Sequence, residues 1–303
     1  MKICILTPGY TDSTSLTKDV DIPYDAAAYL HEHECVTVVI ERGAADAQVA
    51  ALAGRDFDLF LNLCDCTIYE DCAGLDVLLA LERLGVAYTG ATAAFFAHTR
   101  HDLKAACLAA QVKTPAFAFV ERLDQVAGVA DGLRFPLIAK HPDSYCSVGL
   151  TRESRVETPA QLVVQAGRML DAFGGVLIEE FIEGREFTVL VIEDPDAPAR
   201  PVAFQPLEFL FPAGESFKHF DLKWVAYQGM TGVPCQDPAL SARLQETACR
   251  LFVALNGNGY ARFDLRMDRA GELYVLDANA NCGIFYPPQT PGSADLILLN
   301  DPA

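Results

Sequence analysis

The sequence predicts an α/β fold that becomes α+β in its C-terminal part, and three observations predict it. The first hundred residues alternate β-rich runs with helix-periodic ones, the pattern of a parallel sheet flanked by helices. Near the C-terminus two β-rich runs, 260–267 and 272–280, are separated only by the turn 268–271, which predicts an antiparallel hairpin. Hydrophobic residues make up 51% of the 303 residues, enough for sizeable cores at a prior of roughly 150 residues per domain.

In chain order, KICIL (2–6), VTVVI (36–40) and FDLFLNL (57–63) read as strands. GLDVLLALERLG (74–85) is helix-periodic with Gly85 placed to end it, and VAYTG (86–90) follows as a short strand. The turn after the first strand, TPGYTDSTS, carries no GxGxxG, so a dinucleotide fingerprint is absent. A second unit begins near Thr99, which with Asp102 makes a capping box opening a helix over 100–110. TPAFAFV (114–120) and FPLIAK (135–140) read as strands, HPDSYCSVG (141–149) as a polar loop. Thr158 and Pro159 start a helix that ends near Gly174, and GVLIEEF (175–181) follows as a strand. A third unit opens with strands over 186–194 and 201–211. The stretch 214–232 has weak periodicity and reads as a long mobile loop. Asp237 and Pro238 start a helix running to about Leu255, before the closing hairpin.

Composition excludes whole classes of function. Lys+Arg 23 against Asp+Glu 41 gives a net charge of −18, a surface that repels nucleic-acid backbones and anionic lipid. No apolar run reaches the roughly 18 residues of a membrane span, and the start reads as a buried strand and not as a signal peptide. The ten cysteines mostly sit in apolar runs, which predicts reduced thiols in a cytoplasmic protein. Cys64, Cys66 and Cys72 lack paired CxxC spacing and a histidine partner, so they do not read as a zinc site.

The hairpin carries the most chemistry. Folding about 268–271 sets Asp264 roughly opposite Asp277, where facing Cβ atoms lie about 4.5–5.5 Å apart. Two carboxylates that close repel unless something neutralises them. With Asn279 two residues on, on the same face, they form an open all-oxygen magnesium site of the kind that substrate phosphates complete. Two solvated acids at strand ends are an equal reading of the hairpin alone. Lys140 ends a buried strand just before the hydroxyl-bearing loop of Ser144, Ser147 and Gly149, which can close over phosphates; strands also commonly end in lysine. Lys223 taken alone is a solvated loop lysine. In GVLIEEFIEGREFTVLV (175–191) a buried strand edge would offer free backbone groups to an adenine edge, with Glu186 accepting ribose hydroxyls; a plain hairpin with charged turn residues is the alternative.

Taken in order, a strand lysine, a Ser/Gly loop, EEFIEGREFTV, a loop lysine, RFD and LDANAN resemble the ATP-grasp superfamily, and more narrowly the D-alanine–D-alanine ligase-like family. NLCDCTIYEDCAGLDVLLALERLGVAYTGATA (62–93) and QVKTPAF (111–117) extend the resemblance over nearly the whole chain. The resemblance implies a Rossmann-like parallel-sheet domain over 1–98, then a two-lobed ATP-grasp unit with a small lobe over 99–184 and a large lobe with the metal site over 185–303. It implies that Lys140 and Arg100 contact ATP phosphates and that Ser147 lies in the loop closing on them. Glu179, Glu180, Phe181 and Ile182 would line adenine with Leu276 and Phe217 nearby, and Glu186 would bind ribose. Lys223 would reach the γ-phosphate when its loop closes. Asp264, Asp277 and Asn279 would hold two magnesium (or manganese) ions, and Arg262 with the Gly283 backbone would stabilise an oxyanion.

The implied activity is ATP-dependent carbon–nitrogen ligation through an acyl phosphate. The expected partners are a small-molecule carboxylate and amine, with no nucleic acid and no membrane; a homodimer is among the expected assemblies. Departures from the family pattern lie in the substrate pocket. TPGYTDSTS offers Asp12 but no glutamate, the loop after Lys140 reads Tyr145-Cys146-Ser147, Trp224 stands where tyrosine or phenylalanine is usual, and ANCGIFYPP lacks the proline-glycine and serine. The ATP machinery is therefore expected to be kept and the amino-acid pocket altered. The alternatives are an ATP-grasp ligase for L-amino acids or non-amino-acid substrates, and a nucleotide-binding module without ligase activity.

Overall fold

The computed structural model describes residues 1–11, 18–19, 22–66, 72–144, 147–225 and 229–302. Strand β1 (Lys2–Pro8) lies between β2 (Glu34–Ile40) and β3 (Leu59–Asn62), all parallel. The two-residue alternation of β1 divides its side chains. Cys4 and Leu6 join Ile40 of β2 and Val49, Val77 and Leu81 from the flanking helices α1 (Ala45–Ala53) and α2 (Leu75–Leu84). Ile3 and Ile5 join Leu190, Phe209 and Ile284 from the C-terminal half. Helix α2 ends at Gly85 in the left-handed conformation, φ 66°. The strand expected over 86–90 shrinks to one bridge, because only Ala87 and Thr89 reach across to Phe60. Cys66 and Cys72 form a disulfide with Cα atoms 5.7 Å apart beside a parallel bridge between Cys66 and Gly74, which corrects the expectation of reduced thiols for this pair; the other seven described cysteines are free.

After the short helix α3 (Ala93–Phe96), the Thr99–Asp102 capping box opens α4 (Arg100–Ala109). A four-stranded antiparallel sheet follows. It is built from β4 (Phe117–Val120), then β5 (Leu137–Lys140) beyond helix α5 (Val126–Gly132), then β6 (Arg155–Val156) and, after helix α6 (Pro159–Phe173), β7 (Val176–Glu180). Its order is β4-β7-β5-β6. The Thr158 hydroxyl accepts from the Gln161 N–H at the start of α6, which packs Leu162, Ala166 and Met169 on one face.

The third sheet is six-stranded among the described residues. It is built from β8 (Gly184–Ile192), β9 (Val202–Ala203), β10 (Leu207–Leu210), β11 (Thr231–Pro234), then β12 (Tyr260–Asp268) and β13 (Leu273–Ala280) after helix α7 (Pro238–Ala254); helix α8 (Ser293–Asn300) follows the hairpin. The run 201–211 breaks into β9 and β10 around Pro206, which has no N–H to give a ladder. Part of the stretch expected as a loop is ordered instead: Asp221–Val225 form a π-helical turn and Thr231–Pro234 pair with β10. In the hairpin, Asp264 faces Asp277 and then Leu265 faces Val275, so Leu276 is one extra residue in β13. Such bulges re-aim neighbouring side chains. Among the described residues, no helix is long and apolar enough to cross a membrane.

Candidate active site

Every residue singled out from the sequence for catalysis, nucleotide or metal lines one cavity of about 1150 Å³. The cavity lies between the four-stranded sheet and the β12–β13 hairpin. Tyr145 and Cys146 of the polar loop, and Asp12, lie outside the described residues.

The hairpin end holds the acids. Antiparallel pairing sets Asp264 against Asp277 and Arg262 against Asn279. Asn279 Nδ2 donates to Asp264 Oδ2 at 3.3 Å and to the Arg262 carbonyl at 3.3 Å. Arg262 reaches both Asp264 oxygens at 3.3 Å. Burial alone would raise the Asp264 carboxyl, but Arg262, Lys218 and the Thr188 hydroxyl override it and hold the group well below the usual carboxylate range. Asp277 accepts from Arg100 Nη2 at 2.8 Å. Arg100, expected on the phosphates, is thus engaged with Asp277 and, through Nη1, with the His141 carbonyl at 2.6 Å. Burial, then Arg100, pushes the His141 imidazole down to about 4. No group of three or more His, Cys, Asp or Glu side chains suited to a metal occurs among the described residues. The donor set is two carboxylates and an amide, all hard oxygen donors. That fits magnesium, which commonly takes one or two protein carboxylates and completes its shell with phosphate and water.

Beside the acids lies a buried cationic cluster. Glu179, expected against adenine, is 1% exposed and bridges Lys104 and Lys140. The alternation of β7 causes this: Glu179 points in toward α4 and β5, while Glu180 meets the exposed Arg134 at 2.8 Å. Burial would raise the Glu179 carboxyl, but the two ammonium groups hold it down to about 2. The Lys140 ammonium is pushed down by burial and by Arg100 and Lys104, which together outweigh Glu179. Two ammonium groups against one carboxylate leave an excess of positive charge beside the cavity, which favours an incoming anion. Lys104 was missed by sequence reading. Its one signal was a lysine on the apolar face of α4, beside Leu103 and Cys107.

The far end is apolar. Phe181 and Phe217 meet edge to face with centroids 5.7 Å apart, packed with Ile138 and Leu150; Ile182 and Leu276 also line the space. The free strand edge expected for an adenine is absent, because β7 lies inside its sheet. The Glu180 and Phe181 N–H groups donate to the carbonyls of Ala116 and Pro136. Glu186 is 3% exposed, with Lys218 at 3.0 Å and Arg266 at 2.9 Å. Arg266 was also missed, although RFDLR places Arg262, Asp264 and Arg266 on one strand face.

Two loops complete the walls. Ser147 (φ 59°) donates its hydroxyl to the Lys218 carbonyl at 2.9 Å, joining the 141–149 loop to the 214–220 segment. Gly149 (φ 73°) leaves no room for a Cβ, which would stand 2.8 Å from the Phe173 ring. Lys223 sits in the π-helical turn with its ammonium 4.9 Å from the Trp224 ring. At Gly283 a Cβ would lie 2.7 Å from the Tyr286 hydroxyl and 3.0 Å from that of Tyr24. Tyr24 donates to Asp65 Oδ2 at 2.8 Å, and Asp65 lines the same cavity.

Residues 109–288 match the family model described as D-ala D-ala ligase C-terminus. The chain belongs to the D-alanine–D-alanine ligase family. It is 31% identical to the D-alanine–D-alanine ligase of Herminiimonas arsenicoxydans, with 82% of this chain and 74% of the relative aligned. It is 30% identical to that of Bordetella petrii, where 72% of this chain aligns with 65% of the relative, under two thirds of its length. Among solved structures, D-alanyl-alanine synthetase A from Vibrio cholerae shares the fold with a TM-score of 0.72 at 16% identity, covering 100% of this chain and 94% of that one. The mixed α/β architecture with its parallel and antiparallel sheets is that family's fold.

Proposed function

We propose that this chain is an ATP-dependent carboxylate–amine ligase forming an amide bond, and one observation carries the reading. Asp264 and Asp277 face each other across the hairpin, beside Arg262, in the same cavity as Lys140 and Glu179, the latter also paired with buried Lys104. Phosphoryl transfer needs positioning and charge neutralisation more than covalent catalysis, and this arrangement is suited to both.

ATP and two substrates share the cleft. Lys140 and Arg100 face the phosphates, Phe181, Phe217, Ile182 and Leu276 enclose the base, and Glu186 accepts from the ribose. Asp264, Asp277 and Asn279 would hold magnesium, which when bound would neutralise phosphate charge. The substrate carboxylate attacks the γ-phosphorus; ADP leaves and an acyl phosphate forms. The amine then attacks the acyl carbon, inorganic phosphate leaves with the bonding electron pair, and the proton lost by the amine passes to the departing phosphate. Arg262 and the Gly283 N–H meet the oxyanion between these events. An acyl phosphate hydrolyses in water, so Lys223 and the segment around it cover it. The three units of this reading are 1–98, 99–184 and 185–303; one sheet in each supports the division, with β8 of the third sheet starting at Gly184. In this reading the substrate pocket is altered from the family pattern; its wall has Tyr24 and Tyr286 beside Gly283, with Asp65 accepting from Tyr24.

The test is ADP release with ATP, magnesium and a panel of amino acids and other carboxylates paired with amines. Release that requires both a carboxylate and an amine, with the amide found by mass spectrometry, is expected. ATP binding with no product from any pair would leave only a nucleotide-binding module.

A further inference from the structure

One end of the cleft is assembled around a single buried guanidinium. Arg266 is 2% exposed and lines the cavity. A buried arginine is tolerated only where its donors are met. Nε and Nη2 donate to Glu186 Oε2 at 3.0 and 2.9 Å, Nη1 to the Ile182 carbonyl at 2.8 Å, and Nη2 also to the Ser216 carbonyl. The guanidinium lies 4.5 Å from the Phe181 ring centroid, within cation–π range. These acceptors come from three separate stretches: β8, the turn after β7, and the segment beyond β10. The next two residues after Ser216 are Phe217, packed on Phe181, and Lys218, whose ammonium is 3.0 Å from the other Glu186 oxygen.

We propose that Arg266 is the positioning residue of the nucleoside end of the cleft, a proposal that rests on the ATP reading above. It holds the Glu186 carboxylate, the Ile182 carbonyl and the segment bearing Phe217 in one arrangement before any ligand arrives. A carbonyl has two lone pairs and a carboxylate about four, so Arg266 orients these acceptors without exhausting them. Groups ordered in advance cost less to bind. The planar fork of arginine spreads its donors at fixed angles toward three separate acceptors, whereas the three donors of lysine share one nitrogen and rotate freely.

The experiment compares wild type, Arg266→Met and Arg266→Lys by calorimetry, titrating ADP and inorganic tripolyphosphate separately in magnesium, alongside steady-state KM for ATP and kcat. ADP needs the nucleoside end, whereas tripolyphosphate needs only the cationic cluster. The expected result for Arg266→Met is ADP affinity lower by about tenfold or more, tripolyphosphate affinity within about twofold, and KM raised well beyond any change in kcat. Arg266→Lys recovers part of the ADP affinity, and it is read alone in the same way where the methionine variant does not fold. Equal losses for the two ligands, or none for ADP, overturn the positioning role while leaving the ATP reading intact. Wild-type protein that binds neither ligand overturns both.

Discussion

Arg100 Nη2 lies 2.8 Å from Asp277 Oδ2, so an arginine from helix α4 sits on one of the two acids that face each other in the hairpin. Arg262 stands in the same relation to Asp264, at 3.3 Å. Each acid therefore meets a fixed positive charge where a cation would otherwise compensate it.

That contact competes with metal. Arg100→Met is expected to tighten Mn2+ binding in the absence of nucleotide, because a like charge beside the site is removed. The same substitution weakens ATP, raising KM by about tenfold through loss of a phosphate contact. Calorimetry with Mn2+ alone checks the first part, and weaker binding there would count against it.

Asp264→Asn and Asn279→Ala are each expected to lower ATP turnover by about a hundredfold or more while circular dichroism still reports a folded chain. Chelation of divalent cations abolishes ADP release in the wild type, and added magnesium restores it. Full turnover in both variants would refute the metal assignment.

Glu179 should matter to stability as much as to the site. Glu179→Gln leaves Lys104 and Lys140 buried without their shared counter-charge, a loss of about 3–5 kcal/mol. Denaturant melts measure it, and Lys104→Met added to Glu179→Gln should recover part of the loss.

Acidity should reveal the same group. Its folded pKa is held down to about 2, against an ordinary 4.5. The unfolded chain therefore takes up the proton first as pH falls. The stabilisation is fully present above about pH 4.5 and disappears as pH drops toward about 2. Melts across that window should be steeper in pH for wild type than for Glu179→Gln; parallel curves would rule the assignment out.

The Cys66–Cys72 disulfide makes a simple chemical prediction. Thiol titration in denaturant should find two more thiols after reduction than before. Equal counts would show that the pair is reduced in the purified protein.

Much of the site was legible before any coordinates. The hairpin register followed from a short turn between two β-rich runs, so Asp264 and Asp277 could be placed face to face. The helix starts at Thr99, Thr158 and Asp237 followed from capping chemistry, which is local to a few residues. What misled was neighbourhood. The β7 run reads the same whether it forms an edge or lies between two strands, and its position inside the sheet removed the free edge expected for adenine and turned Glu179 into the interior.

The sequence by itself determined the α/β pattern, the helix ends, the hairpin and the all-oxygen donor set, because each depends on residues close along the chain. Only the tertiary structure decided which charges meet. Arg100 pairs with Asp277 across 177 positions, Lys104 with Glu179 across 75, and Arg266 with Glu186 across 80. Such pairings depend on how sheets and helices stack, and periodicity along a strand or helix says which face a side chain takes, not what lies opposite it.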